Sequence, residues 1–277
     1  MNLIIQGKAI DETDLGSIEK LAGSSRIERI GAGACRLKNA AFSEAIPLLC
    51  ESASLDWAFV PESRKLSDFG LVVMDMDSTL ITIECIDEIA DMLGIKPLVA
   101  AITEAAMRGE IDFSESLRRR VALLSGLEQS ALDRVYGERL KLSPGAENML
   151  EKLKSTGIKT LLVSGGFTFF TDRLKARLGL DFTASNTLEI VNGKLTGRVL
   201  GDIVDAQGKA DWLNRIRNEL NLSKEQVIAI GDGANDLKML GEAGIGIAYH
   251  AKPVVREKAT YAFNHSGLDG LINLFPD

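Results

Sequence analysis

Four short apolar runs, Leu71–Met74, Thr160–Val163, Val227–Ile230 and Ile245–Ala248, each break off into polar residues, and this pattern limits the fold more than any other feature. Runs of this length, rich in aliphatic and β-branched side chains, suit strands covered on both faces, as in parallel sheets flanked by helices. A helical stretch follows each run, so the chain from Phe69 onward is predicted to form an α/β core with a doubly wound parallel sheet. Between the first two runs there is no strand signal. That stretch instead carries helical patterns, ECIDEIADML stopped by Gly94, PLVAAITEAAMR, FSESLRRRVALL and EQSALDRVYGERL, which predict a helical cap inserted at about 84–142. Where the core resumes, Ser143 suits a helix N-cap, Pro144 the first helical position and Gly157 the stop. Further on, Asn192-Gly193 marks a hairpin turn.

Residues 1–68 read differently, in the order strand, helix, strand, strand, helix, strand: LIIQG, Asp14 to Ala22, RIERI, ACRLK, Ser43 to Glu51, WAFVP. This predicts a small α+β ferredoxin-like domain, similar to the ACT-like regulatory modules of amino-acid metabolism. The polar linker opened by Pro61 predicts a boundary, with residues 69–277 as the second domain and few contacts shared between the two. A length of 277 residues allows both.

Composition excludes several classes. No apolar run approaches the ~18 residues of a membrane span, and the N-terminus lacks the basic start and cleavage site of a secretory signal. Cys35, Cys50 and Cys85 are too few and too scattered for a disulfide framework, so a cytoplasmic setting is expected. A net charge of -7 argues against nucleic-acid binding, while leaving room for a small anionic substrate held by a few cations and a metal. A homodimer through an open sheet edge of the N-terminal domain is a further expectation.

Open α/β sheets bind ligands at the carboxyl ends of their strands. Here the first run ends in Asp75-Met76-Asp77-Ser78-Thr79, the second in Ser164-Gly165-Gly166 and the third in Gly231-Asp232-Gly233-Ala234-Asn235-Asp236. On an extended chain Asp75 and Asp77 share a face, and two adjacent carboxylates need a cation or a shared proton. A calcium loop fails, because Leu80 and Ile86 stand where glycine and glutamate belong; a dinucleotide fingerprint fails for lack of its third glycine. D-x-D-x-T, a strand-end serine, a lysine and GDGxND, in this order, resemble the haloacid dehalogenase superfamily, and within it the phosphoserine phosphatases.

The chemistry follows from the residues. Phosphate monoesters repel nucleophiles, so a site needs a metal, hydrogen-bond donors and an in-line nucleophile. Asp75 can form an aspartyl-phosphate; Asp77 can protonate the leaving alkoxide and then activate water. Asp232, the Asp75 carboxylate and the Asp77 backbone carbonyl suit Mg2+. Ser164, Gly165 and Gly166 would offer a hydroxyl and free N–H groups at a helix N-terminus, or merely a tight turn. Lys209 opens a helix, where the macrodipole disfavours a cation, so an anion should offset it. On the helix from Phe113, Arg120 falls on the apolar stripe of Leu117, Val121 and Leu124, unlike Arg118 and Arg119, and needs an anionic partner or a snorkelling route.

The resemblance implies that Arg120 binds the carboxylate of O-phosphoserine and Glu84 its ammonium group, although a helix-start charge explains Glu84 equally well. It also implies that Met107 and Phe113 close over the substrate, that Asn235 contacts it, and that Thr79 and Asp236 support the site, Asp236 through Lys209 and the metal. The implied activity is Mg-dependent hydrolysis of phosphoserine, the last step of serine biosynthesis. A related small-metabolite phosphatase or phosphotransferase, and a non-enzymatic amino-acid-binding regulator, are the alternatives.

Overall fold

The protein is represented by a computed structural model that describes residues 1–31 and 33–276. β1 (Asn2–Gln6), α1 (Glu12–Ala22), β2 (Arg26–Gly31), β3 (Ala34–Lys38), α2 (Ala45–Ser52) and β4 (Asp56–Val60) form an antiparallel sheet of order β2-β3-β1-β4 with two helices on one face. This is the expected ferredoxin-like order. α1 starts two residues before its predicted Asp14, because the Asp11 side chain accepts from Thr13 N at 2.8 Å and caps the helix there. Leu3 and Ile5 of β1 pack with Leu15 and Ile18 of α1 and Ile46 and Cys50 of α2.

The second sheet has seven strands in the order β11-β10-β9-β5-β6-β7-β8. Its members are β5 (Leu71–Met74), β6 (Lys159–Phe167), β7 (Phe182–Val191), β8 (Lys194–Leu200), β9 (Val227–Gly231), β10 (Ile245–Tyr249) and β11 (Tyr261–Phe263). All neighbours run parallel except β7 and β8, whose hairpin turns on Asn192 and Gly193, both left-handed with φ of 51° and 76°. Alternate residues serve two cores. Val72, Met74, Leu162, Ile228 and Ile230 face one way, with Met149, Leu153, Phe170 and Leu174. Leu71, Val73, Leu161, Val163, Val227 and Ala229 face the other, with Leu213, Ile216 and Met239.

Between β5 and β6 lie the cap helices α3 (Cys85–Met92), α4 (Lys96–Met107), α5 (Phe113–Ala122) and α6 (Ser130–Arg134). The chain leaves the core at Ile81 and returns at Leu142, and these residues bridge antiparallel, with Thr82 N donating to Lys141 O and Ser143 N to Leu80 O. Then come α7 (Ala146–Thr156), α8 (Thr168–Leu178), α9 (Ala206–Glu219), α10 (Leu237–Glu242), α11 (Pro253–Arg256) and α12 (Gly270–Leu274). No helix among the described residues is long and apolar enough to cross a membrane.

Two expectations need correcting. α7 does not start on Ser143 and Pro144 but after left-handed Gly145, because Pro144 O is taken by Leu268 N at 2.8 Å and the chain turns there against Asp269. The two units also share far more contact than the polar linker suggested. The second face of the small sheet, Ile4, Ala58 and Val60, belongs to the same buried cluster as Leu66, Phe69, Leu271, Leu274 and Phe275. At its edge Asp56, 3% exposed, accepts the backbone N–H groups of Asn264 (2.7 Å), His265 and Ser266 (2.9 Å) and the Ser266 hydroxyl. Tyr261 donates to Phe59 O, and Asn273 to Gln6.

Removing Asp56 leaves those half-buried donors without their acceptor. Asp56→Ala is therefore expected to cost about 2–3 kcal/mol, read as a lower urea midpoint at unchanged slope. A variant as stable as the parent would show that the seam contributes little.

Candidate active site

β5 lies at the point where strand order reverses: the chain passes outward through β6 and β7 and then returns to the far side of β5 as β9. Asp75 follows β5, and its N–H donates to Ile230 O at 3.0 Å. The next residues make one wide turn, closed by Leu80 N to Asp75 O at 3.3 Å and Ile81 N to Met76 O at 3.0 Å. Within it Asp77 is extended (φ −66°, ψ 135°) and Ser78 is left-handed (φ 55°). A serine there is mildly strained. The turn, rather than continued strand alternation, brings Asp75 and Asp77 into one site.

Lys209 sits in the first turn of α9 and is 1% exposed. Asp205 caps this helix by accepting from Gln207 N and Gly208 N. The Lys209 ammonium lies 2.6 Å from Asp75 Oδ1 and 2.7 Å from Asp236 Oδ1. Burial opposes its charge, yet Asp236 and Asp75 together raise its pKa above the ordinary lysine range. Asp236 is wholly buried, and its other oxygen accepts from Asp232 N (3.1 Å) and Gly233 N (3.0 Å), so one carboxylate both ties the turn after β9 and fixes the lysine. Burial and then the Asp236 charge push Asp75 upward, against the pull of Lys209.

Asp77 turns the other way. Its Oδ1 accepts from Cys85 N at 2.8 Å and its Oδ2 from Ser164 Oγ at 3.2 Å. Burial raises its pKa, and those two donors hold it back. β6 continues through Ser164, Gly165 and Gly166, so these residues do not open a helix as expected; α8 begins only at Thr168. Nor is the Gly166 N–H free, since it donates to Ser164 Oγ at 2.8 Å. The glycines leave room for their neighbours: a Cβ on Gly166 would stand 2.8 Å from Asp77 Oδ2, and one on Gly165 2.8 Å from the Phe113 ring, so those side chains would have to shift.

On the cap side, Glu84 precedes α3 and accepts from Ser78 Oγ at 2.6 Å. Its side chain reaches solvent at the rim, but crowding by protein and then the Asp77 charge push its pKa up to about 7. Arg120 is half-buried, its guanidinium value lowered by burial and supported by the charges of Asp87, Glu84 and Asp77. Its apolar-stripe position thus turns it toward the carboxylates, while Arg118 and Arg119 are exposed and Arg119 pairs with Glu115. Asn235 lies half-buried in the short turn Ala234–Asp236. Met107 is not gathered with the others: it ends α4 and is 70% exposed.

Sequence reasoning overlooked Ser78, the Cys85 N–H and Asn186. The last is 1% exposed on β7, donating to Gly165 O at 2.8 Å and accepting from Val204 N at 2.8 Å. Its signal was a polar residue on the same strand face as Ala184 and Leu188.

A cation fits the donor set. Carboxylate oxygens of Asp75, Asp232 and Asp236 lie within 4.8 Å of one another, and with Asp77 they crowd round a single ammonium. Asp236 is committed to Lys209 and the turn, which leaves Asp75 and Asp232 as the carboxylate donors. Asp232 Oδ1 accepts from the buried Thr79 hydroxyl at 3.2 Å; burial and then Asp236 push Asp232 up to about 6, as expected where negative charges meet without enough counter-charge.

Against this geometry, the family model described as haloacid dehalogenase-like hydrolase matches residues 72–241. The chain belongs to that family. A second model, described only as a domain of unknown function, matches residues 3–46. The hydrolase is 58% identical over 215 residues to the phosphoserine phosphatase of Polaromonas sp., covering 76% of this chain and 91% of that one. It superposes on a probable phosphoserine phosphatase from Vibrio cholerae, unliganded, with a TM-score of 0.88 and 40% identity over 99% of this chain and 86% of the other. A substrate-bound phosphoserine phosphatase complex gives a TM-score of 0.69 and 37% identity, over 74% of this chain and 97% of the other.

In this hydrolase, removing the Lys209 charge leaves Asp75 and Asp236 buried without compensation. Lys209→Met is expected to cost about 3–5 kcal/mol in urea unfolding under chelator, part of it recovered in Lys209→Met/Asp236→Asn. Simple additivity of the two single effects would show that the ion pair is not the reason.

Proposed function

We propose that the protein is a phosphoserine phosphatase, hydrolysing O-phospho-L-serine to L-serine and phosphate through an aspartyl-phosphate. The observation that supports this reading is that Arg120 feels the charges of Glu84 and Asp77, Glu84 being bonded to Ser78 beside Asp77, while Lys209 holds Asp75. The relatives named phosphoserine phosphatase support the substrate.

Asp75 is the nucleophile. Its free oxygen attacks phosphorus while the bond to the serine oxygen breaks, and Asp77 gives that oxygen its proton. The raised pKa of Asp77 suits it to carry a proton, and its bonds to Cys85 N and Ser164 hold the carboxyl group in place. In the second half-reaction Asp77, now ionised, takes a proton from water, which attacks the phosphoryl group and frees Asp75. Lys209 keeps Asp75 oriented and offsets charge that develops on the phosphoryl oxygens, joined by Ser164, Gly165 and Asn235, while Gly166 N–H holds the Ser164 hydroxyl in place. Asp75, Asp232 and the Asp77 backbone carbonyl would hold Mg2+, with Thr79 and Asp236 in support. The ion would supply charge neutralisation for the phosphate.

Arg120 takes the substrate carboxylate and Glu84 its ammonium group. Phe113, already over Gly165, shields the ligand; the same role for Met107 requires the end of α4 to move. The reaction is the last step of serine biosynthesis, in the cytoplasm, a setting consistent with three free buried cysteines. An ACT-like role for the N-terminal unit, and a homodimer through its β2 edge, belong to the same proposal.

The test is phosphate release from O-phospho-L-serine with and without Mg2+, and with added acceptor alcohols. Asp75→Asn should abolish turnover and trapped phosphoenzyme, Asp77→Asn should slow both half-reactions by roughly 10²–10⁴, and chelation should remove activity. Arg120→Ala and Glu84→Ala should reduce kcat/KM for phosphoserine while sparing phenyl phosphate. Equal losses on both substrates would overturn the assignment of the serine contacts.

A further inference from the structure

We infer that Asn186 is a positioning residue for the phosphate-facing side of the site, joining the strand end that carries Ser164 to the segment that launches the Lys209 helix. β6 and β7 pair in register at Val163 with Ala184 and resume at Phe167 with Asn186, so four steps on β6 oppose two on β7. Ser164, Gly165 and Gly166 stand opposite Ser185 alone, an excess of two residues, and the backbone ladder fails where the site needs a bend. The Asn186 side chain fills that failure. Its Nδ2 donates to Gly165 O at 2.8 Å, the carbonyl of the central bulged residue. Its Oδ1 accepts from Val204 N at 2.8 Å, one residue before Asp205, the cap of α9. A Cβ on Gly165 would lie 3.6 Å from Val204 O, so the two joined segments run side by side.

An asparagine suits this place because it alone among small side chains offers a donor and an acceptor in one plane. Asn186 is 1% exposed and its bond from Val204 N is buried, so that N–H has no water to turn to, while Gly165 is half-buried. Asn186 reaches no reacting atom; it acts through Ser164 and Gly165 on one side and through Asp205 and Lys209 on the other. The inference rests on the phosphatase reading but not on its substrate, since the parts it holds are those assigned to the phosphoryl group.

The experiment compares wild type, Asn186→Ala, Asn186→Asp and Thr160→Val. Thr160 is buried at the opposite end of β6, bonded to Asp181 through its hydroxyl and its N–H, and controls for loss of stability in the same strand. The readouts are kcat/KM for O-phosphoserine and for phenyl phosphate, inhibition by inorganic phosphate, and the thermal midpoint. Asn186→Ala should lower kcat/KM on both substrates by a similar factor of about 10 to 100 and weaken phosphate inhibition, whereas Thr160→Val should lower only the midpoint. Should Asn186→Ala not fold, Asn186→Asp decides, since it keeps an acceptor for Val204 and loses the donor to Gly165. Wild-type kinetics and phosphate inhibition in a folded Asn186 variant, or the same losses in Thr160→Val, would overturn the inference. A wild type that cleaves phenyl phosphate and ignores phosphoserine would sink the substrate assignment and leave Asn186 to be decided on phenyl phosphate.

Discussion

An ammonium group buried between two carboxylates governs the arrangement of everything around it. Lys209 could not remain charged at 1% exposure without Asp75 and Asp236, and neither carboxylate could tolerate burial without it. Because these three residues come from the end of β5, the start of α9 and the turn after β9, the ion pairs also lock three loops to one centre. Such a device is a poor source of stability and a good source of geometry. Asp236 illustrates this: its second oxygen ties down Asp232 N and Gly233 N, so the residue that holds the lysine also shapes the loop that offers Asp232.

The same economy recurs on the cap side. Ser78 accepts a left-handed backbone, and from there its hydroxyl reaches Glu84 while Asp77 receives Cys85 N. The first residues of the cap are therefore bonded to the motif that carries the two aspartates. The N-terminal unit joins in a plainer way, through an apolar sheet face and the Asp56 seam against residues 264–266.

The strands and their polar ends were legible because buried parallel strands leave short apolar runs, and because ligand residues must follow them. Arg120 and Lys209 were legible as charges in places where charge is costly. Other parts were not. β11 has three residues, too few to show a pattern, and the start of α7 was decided by Leu268 and Asp269, distant in sequence. The Gly166 N–H was misjudged because a free donor and one satisfied by Ser164 look alike in a string of letters. Asn186 escaped for a related reason: its worth lies in a register break between β6 and β7 that neither strand reveals alone.

The crossing at Ile81 and Leu142 has a consequence for how such a chain can change over time. Because the two ends of the insert already meet and share hydrogen bonds, the sheet experiences the whole cap as a closed loop. Lengthening a closed loop adds entropy only logarithmically. The crossing is one of two ties: Gly126 N donates to Leu195 O, Leu195 N to Leu127 O and Gln129 N to Gly193 O, so the insert is free to change length only where both the crossing and its pairing with β8 survive. The cap is thus a loop tied at its root and again at its far side, and a change of length that keeps both ties leaves the sheet's own ladder intact.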